Sequence, residues 1–277
     1  MNTNNPFSLV PALALVLAAA GGSVAAQENA PPNPLLTRPG WEIGGQISRY
    51  KYEEPASPGF GGMNLKGDRV GIVGAYTITA ANRVFTRIDG RVSYGSLKYS
   101  SGGTGTMDDV PDWTGEIRAV IGRDYLLGGG DYSLSPYAGL GYRYLYDDLR
   151  GYSSTGAAGY QRYSQYVYIP LGLTARVRAG ERWMLAPTVE YDVFLSGRQR
   201  SQLSDTGLGL PDVTNDQDSG YGYRAYLMLE NGKWAFGPWL SYWKVKDSNV
   251  VSIGGGLGVM EPENWTREYG VEFRYRF

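Results

Sequence analysis

The sequence predicts an all-β chain: an antiparallel up-and-down transmembrane β-barrel of ten strands, behind an N-terminal signal peptide. Three observations predict it. Ten segments alternate apolar and polar residues with period two. Short and long connections alternate between those segments. Aromatic residues gather at segment ends in two sets.

The chain opens on an apolar run, Leu9 to Ala20, followed by Gly21-Gly22-Ser23 and the small residues Val24-Ala25-Ala26. This is the order of an export signal, with cleavage expected after Ala26, although Met1 to Asn5 carries no Lys or Arg. Residues 1–26 are therefore the expected signal peptide. Residues 27–40, Pro-rich and without periodicity, are the expected periplasmic tether, and residues 41–277 the barrel domain. After Ala26 no apolar run approaches the roughly 20 residues of a spanning helix. A mature chain in a membrane must then be a closed barrel, because only helices and barrels satisfy the backbone there.

The segments follow in order: 41–53, 67–78, 84–94, 113–121, 134–144, 167–177, 183–195, 219–230, 234–246 and 265–277. In 84–94 the even positions read Val84, Thr86, Ile88, Gly90, Val92, Tyr94, and the odd positions Phe85, Arg87, Asp89, Arg91, Ser93. Successive strand side chains point to opposite faces, so one face is apolar and the other charged, which a helix cannot produce. Pro136, Pro187 and Pro238 fall inside strands, where a missing donor predicts bulges or local widening. Short links at 79–82, 126–131, 179–182 and 231–233 alternate with long ones near 54–66, 100–112, 147–161, 197–218 and 247–263. Short periplasmic turns and long outer loops are the outer-membrane pattern. Trp41, Tyr76, Tyr132, Trp183, Trp234 and Phe277 mark one interface, and Tyr52, Tyr94, Trp113, Tyr144 and Trp265 are among those assigned to the other.

The chain ends Glu268-Tyr269-Gly270-Val271-Glu272-Phe273-Arg274-Tyr275-Arg276-Phe277. It resembles the recognition signal of the outer-membrane barrel-assembly machinery: Glu268, Gly270, Phe273, Tyr275 and Phe277 match its polar residue, glycine and alternating aromatics. The resemblance implies that machinery as a partner during biogenesis and the cell outer membrane as destination. The last hairpin, Tyr242 to Ser248 and Glu261 to Glu268, resembles uncharacterised outer-membrane β-barrel proteins, a likeness that brings no activity. Ten strands invite comparison with the omptin proteases. Those enzymes, like other outer-membrane barrel enzymes, rely on histidine.

Histidine suits acid–base work because it titrates near neutrality. This chain has no His among its 277 residues, and no Cys. Nucleophilic triads, thiolate metal sites and disulfides are therefore excluded, no cofactor or metal is expected, and the reading is non-enzymatic. An Asp–Asp or Ser–Lys arrangement stays open, and an acid-only hydrolase built on Asp147, Asp148 or Asp205 is the catalytic alternative carried forward. A net charge of -1 gives no reason to expect nucleic acid.

The alternation assigns Arg69, Arg87, Asp89, Arg91, Glu116, Arg118, Arg143, Arg176, Glu190, Asp192, Arg224, Glu230, Glu268, Glu272 and Arg274 to the interior. Both signs are present, so a plug of paired charges is favoured over a pore, with a narrow porin-like channel as the alternative. Arg49, Lys51, Arg150, Arg162, Arg198 and Arg200 lie near outer strand ends as candidate contacts to lipopolysaccharide phosphates. Asp216-x-Asp218-x-Gly220 faintly resembles a calcium loop but lacks the distal Glu. The expected product is a monomer whose long outer loops serve surface interaction or adhesion.

Overall fold

The computed structural model describes residues 33–57 and 61–277. The expected signal peptide and the first part of the tether lie outside the described residues. The strands are β1 (Gly40–Glu54), β2 (Met63–Thr79), β3 (Val84–Ser101), β4 (Gly105–Arg123), β5 (Tyr125–Leu127), β6 (Tyr132–Tyr152) and β7 (Ala158–Arg178). They continue as β8 (Met184–Ser201), β9 (Val213–Gln217), β10 (Gly220–Asn231), β11 (Trp234–Val245), β12 (Val251–Gly254), β13 (Leu257–Val259) and β14 (Asn264–Arg276).

Twelve of these form one antiparallel sheet, and setting aside the short β5 and β9 leaves ten long strands. Each long strand pairs with the next, β8 pairs with β10, and β14 returns to β1, so the sheet closes. The seam runs without a break from Glu42–Arg276 to Glu53–Trp265. Gly270 makes this approach possible: a Cβ there would fall 2.1 Å from the carbonyl oxygen of Ile47.

Alternation sorts the two faces as expected. Ile47, Val70, Ile72, Val92, Val189 and Val271 stand exposed on the outer wall. Residues of opposite parity are buried in the lumen. At the end with the tight turns, Trp41 packs on Tyr76 at 4.5 Å, and Trp234 on Tyr275 at 4.6 Å. At the other end Trp113, Tyr144, Tyr146 and Tyr163 form a continuous aromatic belt. Tyr52 departs from its expected place in that belt: it is buried inside the barrel.

The strands outrun a bilayer. β6 and β7 have 21 residues each, against the 9–11 that a tilted strand needs to cross. Much of what reads as outer loop in sequence is strand projecting beyond the apolar band: 102–104 alone joins β3 to β4, and 153–157 joins β6 to β7.

Each of the three prolines singled out in the sequence interrupts one flank of its strand. Pro238 pairs with Val271 of β14, but on the β10 side pairing skips from Tyr226–Trp239 to Leu229–Phe236. Pro187 pairs with Leu227, while the β7 side skips from Thr174–Thr188 to Val177–Leu185. Pro136 pairs with Leu173, while on its other flank the pairing skips from Gly122–Tyr137 to Tyr125–Leu134, leaving Arg123 and Asp124 without a partner in β6. A proline cannot donate to the ladder, and the widening expected from sequence is what its absent N–H produces.

Candidate functional site

All fifteen charges assigned inward by parity project into the lumen, where strands from opposite walls bring them together. Arg224 of β10 is the hub. It grips both oxygens of Glu116 at 2.8 Å, Glu190 at 2.7 Å and Asp192 at 2.9 Å. Arg118 of β4 holds Glu190 at 2.6 Å and Asp89 at 2.8 Å, and Arg91 lies 3.5 Å from Glu116. Two tyrosines complete this layer, and glycine makes room for each. Tyr168 donates to Glu116 at 2.6 Å across the space that a Cβ on Gly141 would fill, 2.2 Å from its ring. Tyr137 donates to Glu190 at 2.7 Å over Gly172, where a Cβ would lie 2.1 Å from the ring.

Toward the turn end, Glu42 accepts from Arg87 and from Arg276, each at 2.6 Å. Arg276 also holds Glu230 at 2.9 Å, with Arg176 3.5 Å from the same carboxylate, and Arg274 pairs with Glu272. Toward the loop end, Arg69 pairs with Asp112, donates to Thr114 at 2.8 Å and lies 3.2 Å over the Tyr50 ring. Glu268 accepts from Ser48 at 2.7 Å. Arg143 forms no ion pair among the described residues. Glu116, opposite it in the ladder, is already taken by Arg224, and its guanidinium lies 5.5 Å from the Trp243 ring.

One predicted outer contact is corrected. Arg162 is not on the outer surface: it is buried, donates to Glu54 at 2.7 Å, to Tyr52 at 3.1 Å and to Glu261. It shares the inward parity of Ser164, Tyr166 and Tyr168 along β7, and an unpaired cation cannot face the lumen cheaply. Burial holds the Glu261 carboxyl, in the last outer loop, at about 8 despite the neighbouring Arg162. The other candidates do face outward. Arg49 pairs with Asp68 at 2.9 Å, Lys51 with Glu53 at 2.6 Å, Arg150 with Asp148 at 2.6 Å, and Arg198 and Arg200 with Asp216 and Asp212 at 3.3 Å each.

The three acids of the acid-only alternative are each already engaged or buried. Asp147 is buried, Asp148 is committed to Arg150, and Asp205 accepts from the Gln161 backbone. Asp216 sits in β9, a strand and not an ion-binding loop.

The segment before β1 carries contacts that its sequence did not announce. Leu35 is wholly buried. The Thr37 N–H and hydroxyl both donate to Asp124, at 2.7 and 2.8 Å, and Ser135 donates to the same carboxylate at 2.6 Å. Ser133 donates to the Leu35 carbonyl, and Arg38 to the Gly232 carbonyl at 2.9 Å. Asp124 is free to do this because the Pro136 gap removes it from the ladder.

Two cavities flank the charged core. One of about 310 Å3 at the loop end is bordered by Glu54, Met63, Tyr99, Met107 and Arg162. One of about 110 Å3 at the turn end is bordered by Thr37 and by Arg87, Arg118, Arg176, Arg274 and Arg276.

No family model matches the chain, and no curated protein matches its sequence. Among solved structures, the outer membrane protease OmpT from Escherichia coli is similar at a TM-score of 0.57 and 12% identity, covering 86% of this chain and 97% of that one. The β domain of the Bordetella autotransporter BrkA is more distant, at a TM-score of 0.41 and 13% identity over 87% of this chain and 100% of that one. At such identities the likeness to OmpT shows the fold and nothing of its chemistry. The chain is a ten-stranded closed antiparallel β-barrel whose structural neighbours are outer-membrane β-barrel proteins.

Proposed function

We propose that this protein is a non-enzymatic, non-conducting outer-membrane scaffold that displays its projecting hairpins and last two outer loops for surface interaction. In this reading the chain is exported through the periplasm after signal-peptide cleavage and inserted by the barrel-assembly machinery, with the tight turns left in the periplasm. One observation carries it: ion pairs from several walls span the lumen, from Glu54–Arg162 through Arg69–Asp112 and Arg224–Glu116 to Arg276–Glu230. Guanidinium–carboxylate pairs of this kind are rigid and directional, and separating them inside a protein is costly. A stream of hydrated ions would have to break several at once.

The apolar outer wall supports a lipid surround in this reading. Lipopolysaccharide phosphates would meet Arg49, Lys51, Arg150, Arg198 and Arg200 in competition with the carboxylates these already hold, so we assign them a modest share of lipid affinity. The test is a planar bilayer holding the purified barrel. No steady unitary conductance is the expected result. A steady current that changes when Arg224 or Arg87 is replaced would establish the narrow channel instead.

A further inference from the structure

We propose that residues Asn33–Arg38 are a releasable latch on the turn-end mouth, with Asp124 as its catch, and that undocking the latch opens the arginine-lined chamber behind it.

The latch differs from the wall it closes. Among the described residues it makes no backbone–backbone hydrogen bond to any strand; its one such bond, Leu36 N–H to the Asn33 carbonyl at 3.1 Å, is internal. It is held by side chains: both Thr37 donors on Asp124, Ser133 on the Leu35 carbonyl, and Arg38 on the Gly232 carbonyl. A segment held at a few points, outside the cooperative ladder, opens far more readily than the barrel unfolds.

The joint is also present. Gly40, the first residue of β1, has φ +113, a conformation that residues with a side chain rarely adopt. The chain passes there from the mouth into the barrel wall. Leu35 supplies the stopper, buried completely where the preceding sequence had suggested only a tether. Thr37 borders the 110 Å3 chamber directly, so moving it removes part of the chamber wall. The five guanidiniums on that wall are each already held by a carboxylate, so a small water-soluble reagent reports the opening by access and not by charge.

Latch and ion-pair core fail separately. With the latch open and the core intact, a reagent enters from the turn end and no current flows. With the core breached, current flows.

The chain has no cysteine, so a single introduced thiol reports without background. Thr188→Cys places it on the chamber wall. The probe is a small, water-soluble sulfonate methanethiosulfonate, applied to the full-length barrel in detergent, with folding of every variant read from its heat-dependent gel shift. Modification should be slow in the reporter protein. Asp124→Asn, which turns an acceptor into a donor at the catch, and Leu35→Asp, which removes the stopper, should each accelerate it at least tenfold. A synthetic Asn33–Arg38 peptide added to the Leu35→Asp protein should slow it again. The two variants act from opposite sides of the contact, so failure of one to fold leaves the other decisive. Fast modification of the reporter protein itself, or folded variants within twofold of its rate, would overturn the proposal.

Discussion

Replacing Arg224 with Met should destabilise the barrel more than any other single lumen change. Its guanidinium serves Glu116 twice at 2.8 Å, Glu190 at 2.7 Å and Asp192 at 2.9 Å. Without it, Glu190 keeps Arg118 at 2.6 Å, Glu116 keeps Arg91 at 3.5 Å, and Asp192 keeps no cation. Removing one partner of a buried pair costs about 3–5 kcal/mol, because the other charge stays desolvated. Since 1.4 kcal/mol is a factor of ten, the folded-to-unfolded ratio should fall by about two to three and a half decades. Urea titration of the gel-shift band in lipid vesicles measures it. The control removes the stranded charge as well: Arg224→Met with Asp192→Asn should recover part of the loss, because the buried carboxylate left without a cation is then neutral while Glu116 and Glu190 keep Arg91 and Arg118. A single variant within about 0.5 kcal/mol of the parent, against that 3–5 kcal/mol expectation, would refute the reasoning. So would a double variant no better than the single.

Other outcomes follow from the same geometry. Gly270→Val puts a side chain where the Ile47 carbonyl oxygen lies 2.1 Å from an ideal Cβ, so the seam should not close and no heat-shifted band should form. Gly103→Val, with nothing within 4 Å, should fold normally on the same gel. Arg162→Ala should lower the urea midpoint by the equivalent of about 3–5 kcal/mol, since Glu54 loses its buried partner. Arg200→Ala, removing a half-exposed contact to Asp212 at 3.3 Å, should change it by about 0–1 kcal/mol. Glu261 should impose a pH dependence. Its folded-state value near 8 lies above the ordinary 4.5, so the folded chain retains a proton that the unfolded chain releases between those values. Stability should therefore fall as pH rises through that window, and Glu261→Gln should flatten the slope in urea titrations at successive pH values.

The barrel was legible because lipid enforces strict alternation: every charge placed inside between Arg69 and Arg274 shares a parity with residues that cannot face acyl chains. That logic weakens beyond the apolar band, where water wets both faces. Arg162 was read as a surface cation there, although its parity with Arg176 on the same strand pointed inward. Arg198 and Arg200 show the reverse hazard. Their even numbering matches the inward Glu190 and Asp192, yet an extra residue in β8, where Val167 pairs with Ser196 and Tyr168 with Phe194, flips the faces and sends both outward. Single sequences do not announce such a bulge. Glu42 and Asp112 were missed for simpler reasons: one is the second residue of its segment, at the membrane boundary, and the other lies one residue outside the range assigned. The docked segment before β1 was invisible because its contacts reach Asp124, Ser133 and Gly232, from 87 to 194 residues away, and carry no period.

Those distances bear on the order in which the molecule can be made. The Asn33–Arg38 segment emerges before every strand, yet its seat is built from the β4–β5 break, the start of β6 and the β10–β11 turn. It has nowhere to settle until nearly the whole chain has arrived and the circle is joined, with Phe277 donating its N–H to Trp41 at 3.0 Å. The first described stretch of the chain is thus the last to find its place, and its settling is a molecular record that assembly has finished.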